Sequence, residues 1–469
     1  MKLSLLSENS ISMIHEASLN ILEERGVLVE NDELLKIAKH CGSIVDENEK
    51  QIRFPSAVVQ KFLNMTPRLI QVQSRDGDYK LELNNDICYN VAGHQAVFIV
   101  DPQTGKKRTA TYQDAVEFSI VANLLPHIHM IATPLIPSDV PSKAAVLYSA
   151  KAVMEHSTKP LVYASDDPDI HLSIISMTKA CNVPDGYLIC EVSPTSPLSW
   201  KKDSAESLLV VAKSGQIVDI IPAPIAGVTA PYTLAGQLAL HTAEALSGIV
   251  LTQMINPGVP VIFCGAWTTY EMKKMSALIG RPESAMLRVA GAQMANFYGI
   301  PSHVIGPDSD ALIMDEQCGW EKMLSLLSGI LSGNSMIVNS GMFATGMSAC
   351  IEQLVLDDEM FKIASRFTSG FEVSDETIAT ELIKDVGYGG NYLAEEHTLE
   401  YLHRGEHVQL DISCSESYEA WLATGGKTLI ERARNKADEL LSQAPDTTLS
   451  MQKRAVIDAI IEQFVNKVK

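Results

Sequence analysis

Residues 186–192 read GYLICEV. The run is apolar at successive positions rather than alternate ones, as a parallel strand covered on both faces requires. Near its end stands a carboxylate, Glu191, which needs a partner or a cation there because an unpaired buried charge is costly. Similar runs precede it, AVFIV (96–100), HMIAT (129–133) and PLVYAS (160–165), and follow it, VDIIPAPI (218–225), VPVIFCG (259–265), SHVIG (302–306) and SMIVNS (335–340). Helical segments lie between them, for example 141–157, 168–180, 203–214, 234–255, 282–298 and 318–332. Strands recur about every 25–40 residues, the rhythm of βα units. Eight strands with intervening helices predict a (β/α)8 TIM barrel. A doubly wound open sheet is the rival α/β architecture, but no G-x-G-x-x-G follows the first strand.

The barrel core is expected over 95–350. Residues 1–94 form an N-terminal, mostly helical appendage, beginning with the helix in SENSISMIHEASLNILEE (7–24), which Ser10 or Ser12 could cap. Residues 351–469 are expected to form a C-terminal helical cap that completes the barrel. The chain has 469 residues, 46% of them apolar, and a net charge of −20. Such an acidic chain repels phosphate backbones, which argues against nucleic-acid binding. Eight cysteines include no C-x-x-C pair, so a reducing compartment is expected, with neither a disulfide framework nor a zinc knuckle. MKLSLLSENS reaches Glu8 too early for a signal peptide, and no apolar run is read as approaching the roughly 20 residues of a membrane span. A cytoplasmic protein with no membrane partner is the expectation.

Barrel chemistry sits at the C-terminal ends of strands. That filter selects Tyr163, Ser165 and Asp166, Glu191 and Ser193, Pro222 and Pro224, Trp267, Asp308 and Asp310, and Ser340, Met342 and Phe343. The stretch VIGPDSDALIMDEQCGW (304–320) adds a question: Asp308, Asp310, Asp315 and Glu316 gather there with no basic residue among them. His127-Ile-His129 resembles an H-x-H metal pair but precedes its strand, the wrong end for a barrel site. His403-Arg-Gly-Glu-His407 matches H-x-x-E-H in letters, but a central glycine weakens the helix that motif needs. No metal ligand is assigned. Gly387-Tyr-Gly-Gly390 reads as a helix-terminating turn rather than a phosphate loop.

Taken in order, several runs resemble the trimethylamine methyltransferase (MttB) superfamily. They are IHEASLNILEERGV (14–27), RDGDYKLEL (75–83), DPQTGKKRTAT (101–111), RPESAMLRVAGAQMANFYGIPS (281–302), DSDALIMDEQCGWEKM (308–323), EQLVLDDE (352–359), VGYGGNYLAEEHT (386–398) and WLATGG with ERA (421–433). The likeness spans nearly the whole chain. It departs at Tyr388 and Asn391, where the family often has proline and histidine. The resemblance implies a (β/α)8 barrel that moves a methyl group from an amine to the Co(I) of a separate corrinoid protein. No tightly bound cofactor is implied for this chain, since the corrinoid (cobalamin) comes with the partner. The chain runs unbroken in the standard twenty amino acids, so it looks like the non-pyrrolysine branch and is similar to glycine betaine methyltransferases. Such an enzyme is expected to form a homo-oligomer.

A quaternary ammonium leaves as a neutral tertiary amine, so no activating group is needed and orientation and desolvation suffice. It has no N–H, so carboxylates and aromatic faces must recognise it. Glu191, Asp308 and Asp310 are expected to make the barrel mouth electronegative, with Trp267, Tyr163, Tyr232 and Phe343 as an aromatic cage. His94 and His303 are candidate donors to a substrate carboxylate. Asp315 and Gln317 could instead cap the following helix. Carnitine, γ-butyrobetaine and proline betaine are substrates of the same class. A TIM-barrel decarboxylase or hydrolase, or a non-catalytic binder of quaternary amines, is the alternative.

Overall fold

The computed structural model describes residues 2–445 and 447–468. Eight parallel strands close into a barrel: β1 (Tyr89–Ala92), β2 (Met130–Ala132), β3 (Leu161–Ala164), β4 (Leu188–Val192), β5 (Ile217–Ile220), β6 (Val261–Gly265), β7 (Ser302–Ile305) and β8 (Met336–Ser340). Each pairs with its sequence neighbours, and β8 returns to β1 through Met336↔Tyr89 and Val338↔Val91. A helix follows every strand: α1 (Tyr112–Leu124), α2 (Ala145–His156), α3 (Pro168–Ala180), α4 (Lys202–Ser214), α5 (Leu234–Ile255), α6 (Pro282–Tyr298), α7 (Glu316–Leu331) and α8 (Ile351–Ser369). Local chemistry marks their ends. Thr111 and Asp114 form a capping box at the start of α1, and Asp167 followed by Pro168 opens α3. Gly215 and Gly299 close α4 and α6 in the left-handed conformation.

The first barrel strand differs from the expectation. The run 96–100 is not in the barrel; Phe98–Val100 joins Lys107–Thr109, Met342–Phe343 and Ser348–Ala349 in a small sheet built from segments that follow β1 and β8. The barrel position belongs to Tyr89–Ala92, so the barrel begins before residue 95. That strand is short and carries Asn90, which breaks its apolar run. Asn90 is nonetheless buried, and its side chain accepts from the Ser340 hydroxyl at 2.6 Å. Of the segment after 350, α8 is the eighth barrel helix.

The N-terminal end of the barrel is plugged. A hairpin, Ile70–Gln73 with Lys80–Leu83, packs Ile70, Val72, Leu81 and Leu83 against the inward residues Val91, Met130, Val162, Ile189, Ile262 and Val338. Backbone bonds fix it there: Gln73 N donates to Gly186 O at 3.2 Å and Arg75 N to Thr158 O at 2.7 Å. The lower barrel is therefore solid and apolar, which turns any approach to the interior among the described residues toward the C-terminal end.

Helix α5 corrects another expectation. Its 22 residues are long and apolar enough to cross a membrane by length and composition, yet 18 of them, Gln237 to Met254, are buried inside the protein. Helices of the N-terminal segment, Glu8–Asn20, Asp32–His40 and Ser56–Leu63, lie over it, so it is covered on its outer side as well as against the barrel. A helix buried all round must be apolar all round.

Leu83, fully buried in the plug, should matter for stability alone. Leu83→Ala is expected to cost about 2–5 kcal/mol in urea unfolding while leaving ligand affinity unchanged.

Candidate active site

Above the apolar layers the barrel interior turns polar. Inward positions at the upper ends of four adjacent strands hold Glu191 (β4), Asp219 (β5), Cys264 (β6) and His303 (β7), all buried. Glu191 and Asp219 are register partners, so two carboxylates stand side by side. Two imidazoles answer them. His94, just past β1, donates from Nε2 to Glu191 Oε2 at 2.6 Å. His303 donates from Nδ1 to Asp219 Oδ2 at 2.6 Å and lies 3.8 Å from Glu191 Oε1. His94 keeps 19% of its side chain exposed and marks the opening, whereas Glu191 and His303 keep none.

Burial opposes charge on every member, but the pairs decide the outcome differently. For His94 burial lowers the pKa, yet the Glu191 carboxylate outweighs it and the pKa ends above 6.5. For Glu191 burial raises the pKa, yet His94 and then His303 hold it below the usual range. For Asp219 burial wins: its pKa stays raised despite His303, with Glu191 adding to the rise. The layer thus combines a charged His94–Glu191 pair with an Asp219–His303 pair whose carboxyl is easier to protonate.

Three of these groups leave one polar atom unspent. Glu191 Oε1, Asp219 Oδ1 and His303 Nε2 are buried with no hydrogen-bond partner, as are Arg288 Nη1 and Asn339 Oδ1 nearby. Buried polar atoms are normally satisfied, so this many together at one strand-end layer indicates a place built for a ligand or water. Arg288 comes from α6. It donates from Nε to Ile305 O at 2.6 Å, from Nη2 to Ile279 O at 2.9 Å, and pairs with Asp308, whose other oxygen accepts from Asn339 Nδ2 at 2.8 Å. Asn339 itself has φ 138°, an uncommon conformation for a residue with a side chain.

Donor atoms of Asp219, Cys264 and His303 lie within 4.8 Å of one another, a set that could take a divalent cation. Two features oppose this. The His303–Asp219 hydrogen bond already uses one atom of each, and burial followed by the neighbouring carboxylates pushes the Cys264 thiol far above its ordinary pKa, against the thiolate a metal needs.

The structure brings together three of the residues chosen from sequence, Glu191, His94 and His303, with Asp308 bordering them. It does not bring the others. Asp310 spends its carboxylate on the backbone N–H groups of Ile279 and Gly280, both at 2.9 Å, and on the Thr345 hydroxyl at 3.0 Å, bracing the rim. Asp315 is the N-cap of α7, and Gln317 donates to Glu321. The acidic stretch 304–320 is thus mainly a scaffold, and the base that meets Asp308 arrives from a helix 20 residues upstream.

The four aromatics form no cage. Tyr163 faces outward between β3 and α3, its hydroxyl donating to His171 Nδ1 at 3.0 Å and accepting from Cys190. Trp267 fills the space left by Gly265 and Gly291, where an added Cβ would meet its ring at 1.9 and 1.8 Å, and stacks 4.3 Å from His241. Phe343 is packed with Val100, Ala311, Cys318 and Cys350. Tyr232 is 62% exposed. Strand-end position placed these residues at the right height but could not say which way they point. Sequence reasoning also missed Asp219, Cys264, Arg288 and Asn339. The signal for Asp219 was present: like Glu191, it is a lone carboxylate inside an apolar strand.

The sequence matches the profile of a family described as trimethylamine methyltransferase (MTTB) over residues 1–468. A trimethylamine methyltransferase MttB of Desulfitobacterium hafniense is 28% identical over 463 residues, covering 97% of this chain and 93% of that protein. MttB2 of Methanosarcina mazei is 30% identical over 485 residues, covering 99% and 96%. A glycine betaine methyltransferase of Desulfitobacterium hafniense strain Y51 is 28% identical over 471 residues, covering 98% and 97%. The solved monomethylamine methyltransferase of Methanosarcina barkeri shares the fold, with a TM-score of 0.50 and 12% identity over 92% of each chain.

Two outcomes check this geometry. Trp267→Ala should cost roughly 3–5 kcal/mol of stability and leave ligand affinity nearly unchanged, read by denaturation and calorimetry. The His94–Glu191 pair should be strongest between Glu191's lowered pKa and His94's raised one. It fades in acid as Glu191 takes a proton and fades again as pH rises through the folded pKa of His94. An NMR titration of the His94 ring should therefore move to lower pH in Glu191→Gln; an unmoved titration would break the assignment.

Proposed function

Since this chain belongs to the trimethylamine methyltransferase family and is a methyltransferase, we propose that it takes a methyl group from a quaternary amine, foremost glycine betaine, and delivers it to the Co(I) of a separate corrinoid protein. The observation that carries the reading is the side-by-side Glu191 and Asp219 pair, buried at the barrel end opposite the hairpin plug and answered by imidazoles rather than by lysine or arginine. A permanently charged ammonium is attracted to such a layer although it has nothing to donate. In an enclosed site that attraction is worth far more than in water. Recognition of the cation then rests on carboxylates, without the aromatic cage expected from sequence.

Arg288 supplies what a betaine needs at its other end. Its Nη1 is free and buried on a guanidinium paired with Asp308, and His94 carries charge at the opening. A zwitterion with a carboxylate and an ammonium a short distance apart suits a site with anionic and cationic walls. Trimethylamine offers neither a fixed charge nor a carboxylate.

In the transfer, the methyl C–N bond breaks with its electron pair going to nitrogen, and a Co–C bond forms with the pair from Co(I). The products are methyl-Co(III) and a neutral tertiary amine, here dimethylglycine. No proton has to move in that step. The protein's task is to hold the ammonium so that one methyl points to the opening and to exclude water. The rim there is apolar: Val228, Met272, Met275, Leu312, Ile313 and Met347 are exposed on the loops after β5 to β8. Such a surface suits a partner that must dock over the mouth and leave again.

Mixing the protein with a reduced corrinoid partner and a panel of amines tests this. Absorbance should report methyl-cobalt with glycine betaine and not with trimethylamine. Failure with every quaternary amine, or turnover of trimethylamine alone, would overturn the reading. Asp219→Asn should lower kcat/KM about a hundredfold, in the range of losing one preorganised electrostatic contact. Arg288→Gln should erode the preference for glycine betaine over choline by about tenfold, one charge-assisted hydrogen bond's worth.

A further inference from the structure

Residues 370–426 leave the barrel as an arm. Its helices, Asp375–Ile378, Thr380–Val386, Glu396–Arg404 and Tyr418–Ala423, contain no buried residue among those described. Of the thirty-five large apolar side chains exposed among the described residues, twelve lie between Phe371 and Leu422, including Tyr388, fully exposed, and Leu393, 89% exposed. Together they offer on the order of 1,000 Å² of apolar surface. A standard interface takes about 800 Å² from each partner.

The arm is nevertheless firmly rooted. Glu359 on α8 accepts from the backbone N–H groups of Asp411, Ile412 and Ser413 at 2.7–3.2 Å. Arg366, one turn before the end of α8, donates to Glu406 O at 2.8 Å and to Gly370 O at 2.5 Å, tying the outgoing and returning chains to one guanidinium. Helices of four to nine residues do not persist in water without tertiary cover. Something must therefore cover this arm permanently.

We propose that residues 370–426 form an intersubunit clasp that packs on the body of a second copy of this chain. Permanent cover at matched stoichiometry points to the chain itself, because a corrinoid partner has to come and go with each methyl group. Charge points away from arm-on-arm pairing. The arm holds twelve acidic and two basic residues, a net −10 and half of the chain's −20, so two apposed arms would repel. The described residues of 427–468, with seven basic against five acidic, are a more favourable landing surface on the neighbour. The exclusion of the corrinoid protein rests on the function proposed above; the choice of substrate does not enter.

Sedimentation velocity on the full chain at about 1 and 100 µM tests it. The native chain should be a dimer or a larger assembly. Tyr388→Asp, Leu393→Asp and Leu402→Asp combined, all at exposed positions, should raise the dissociation constant at least about a hundredfold with an unchanged far-UV circular dichroism spectrum. A second variant, with 371–410 replaced by a short Gly-Ser linker, should be monomeric too. A native chain that is monomeric at 100 µM, or a triple variant with native mass, overturns the proposal. So does a triple variant that keeps its mass but no longer binds the corrinoid protein, since the arm would then belong to that partner.

Discussion

Glu191 and Asp219 stand next to each other because β4 and β5 pair in register and both residues point inward. Two buried carboxylates on neighbouring strands repel each other and lose their hydration, so the surroundings must compensate. Here the compensation is two imidazoles from the strands that flank β8, His94 after β1 and His303 on β7. An imidazole can share or release a proton, which a lysine in the same place would resist. The layer therefore keeps Glu191 charged while tolerating its own burial. The lowered pKa of Glu191 and the raised pKa of Asp219 express that balance.

Much of the remaining architecture serves to keep that layer enclosed and fixed. The hairpin 70–83 closes the barrel from below. The acidic stretch after β7 looks reactive as a string of letters but is largely bracing. Asp308 meets Arg288, Asp310 meets two backbone N–H groups, Asp315 caps α7, and Glu321 accepts from the Ser309 hydroxyl and the Asp310 N–H, both at 2.8 Å. Asp357 of α8 accepts from buried Lys322 at 2.8 Å and from Gly341 N at 2.6 Å, locking the last two helices to the end of β8. Each of these acids is stabilised by donors already positioned for it, so the rim keeps its shape as a ligand enters.

The aromatic residues show why height along a strand is not enough. Tyr163 is one residue away from an inward position, and the two-residue period of a strand sends it to the helix layer instead. Trp267 is held by two glycines, one on β6 and one on α6, a complementarity that no local pattern announces. Where these side chains lie leaves carboxylates rather than rings to serve the proposed cation site.

The sequence by itself determined the α/β alternation, seven of the eight barrel strands and the solitary Glu191, because continuous apolar runs and a misplaced charge are local facts. It also carried Asp219, legible by the same rule, and the acidic, apolar arm, legible in composition. Only the tertiary structure decided that Asn90's short strand completes the barrel, that Arg288 reaches the end of β7, that His94 meets Glu191 across 97 residues of chain, and that Leu234–Ile255 is a core helix. The reason is that pairing register and the direction of a side chain are set by closure of the barrel, and closure is a property of all eight strands at once.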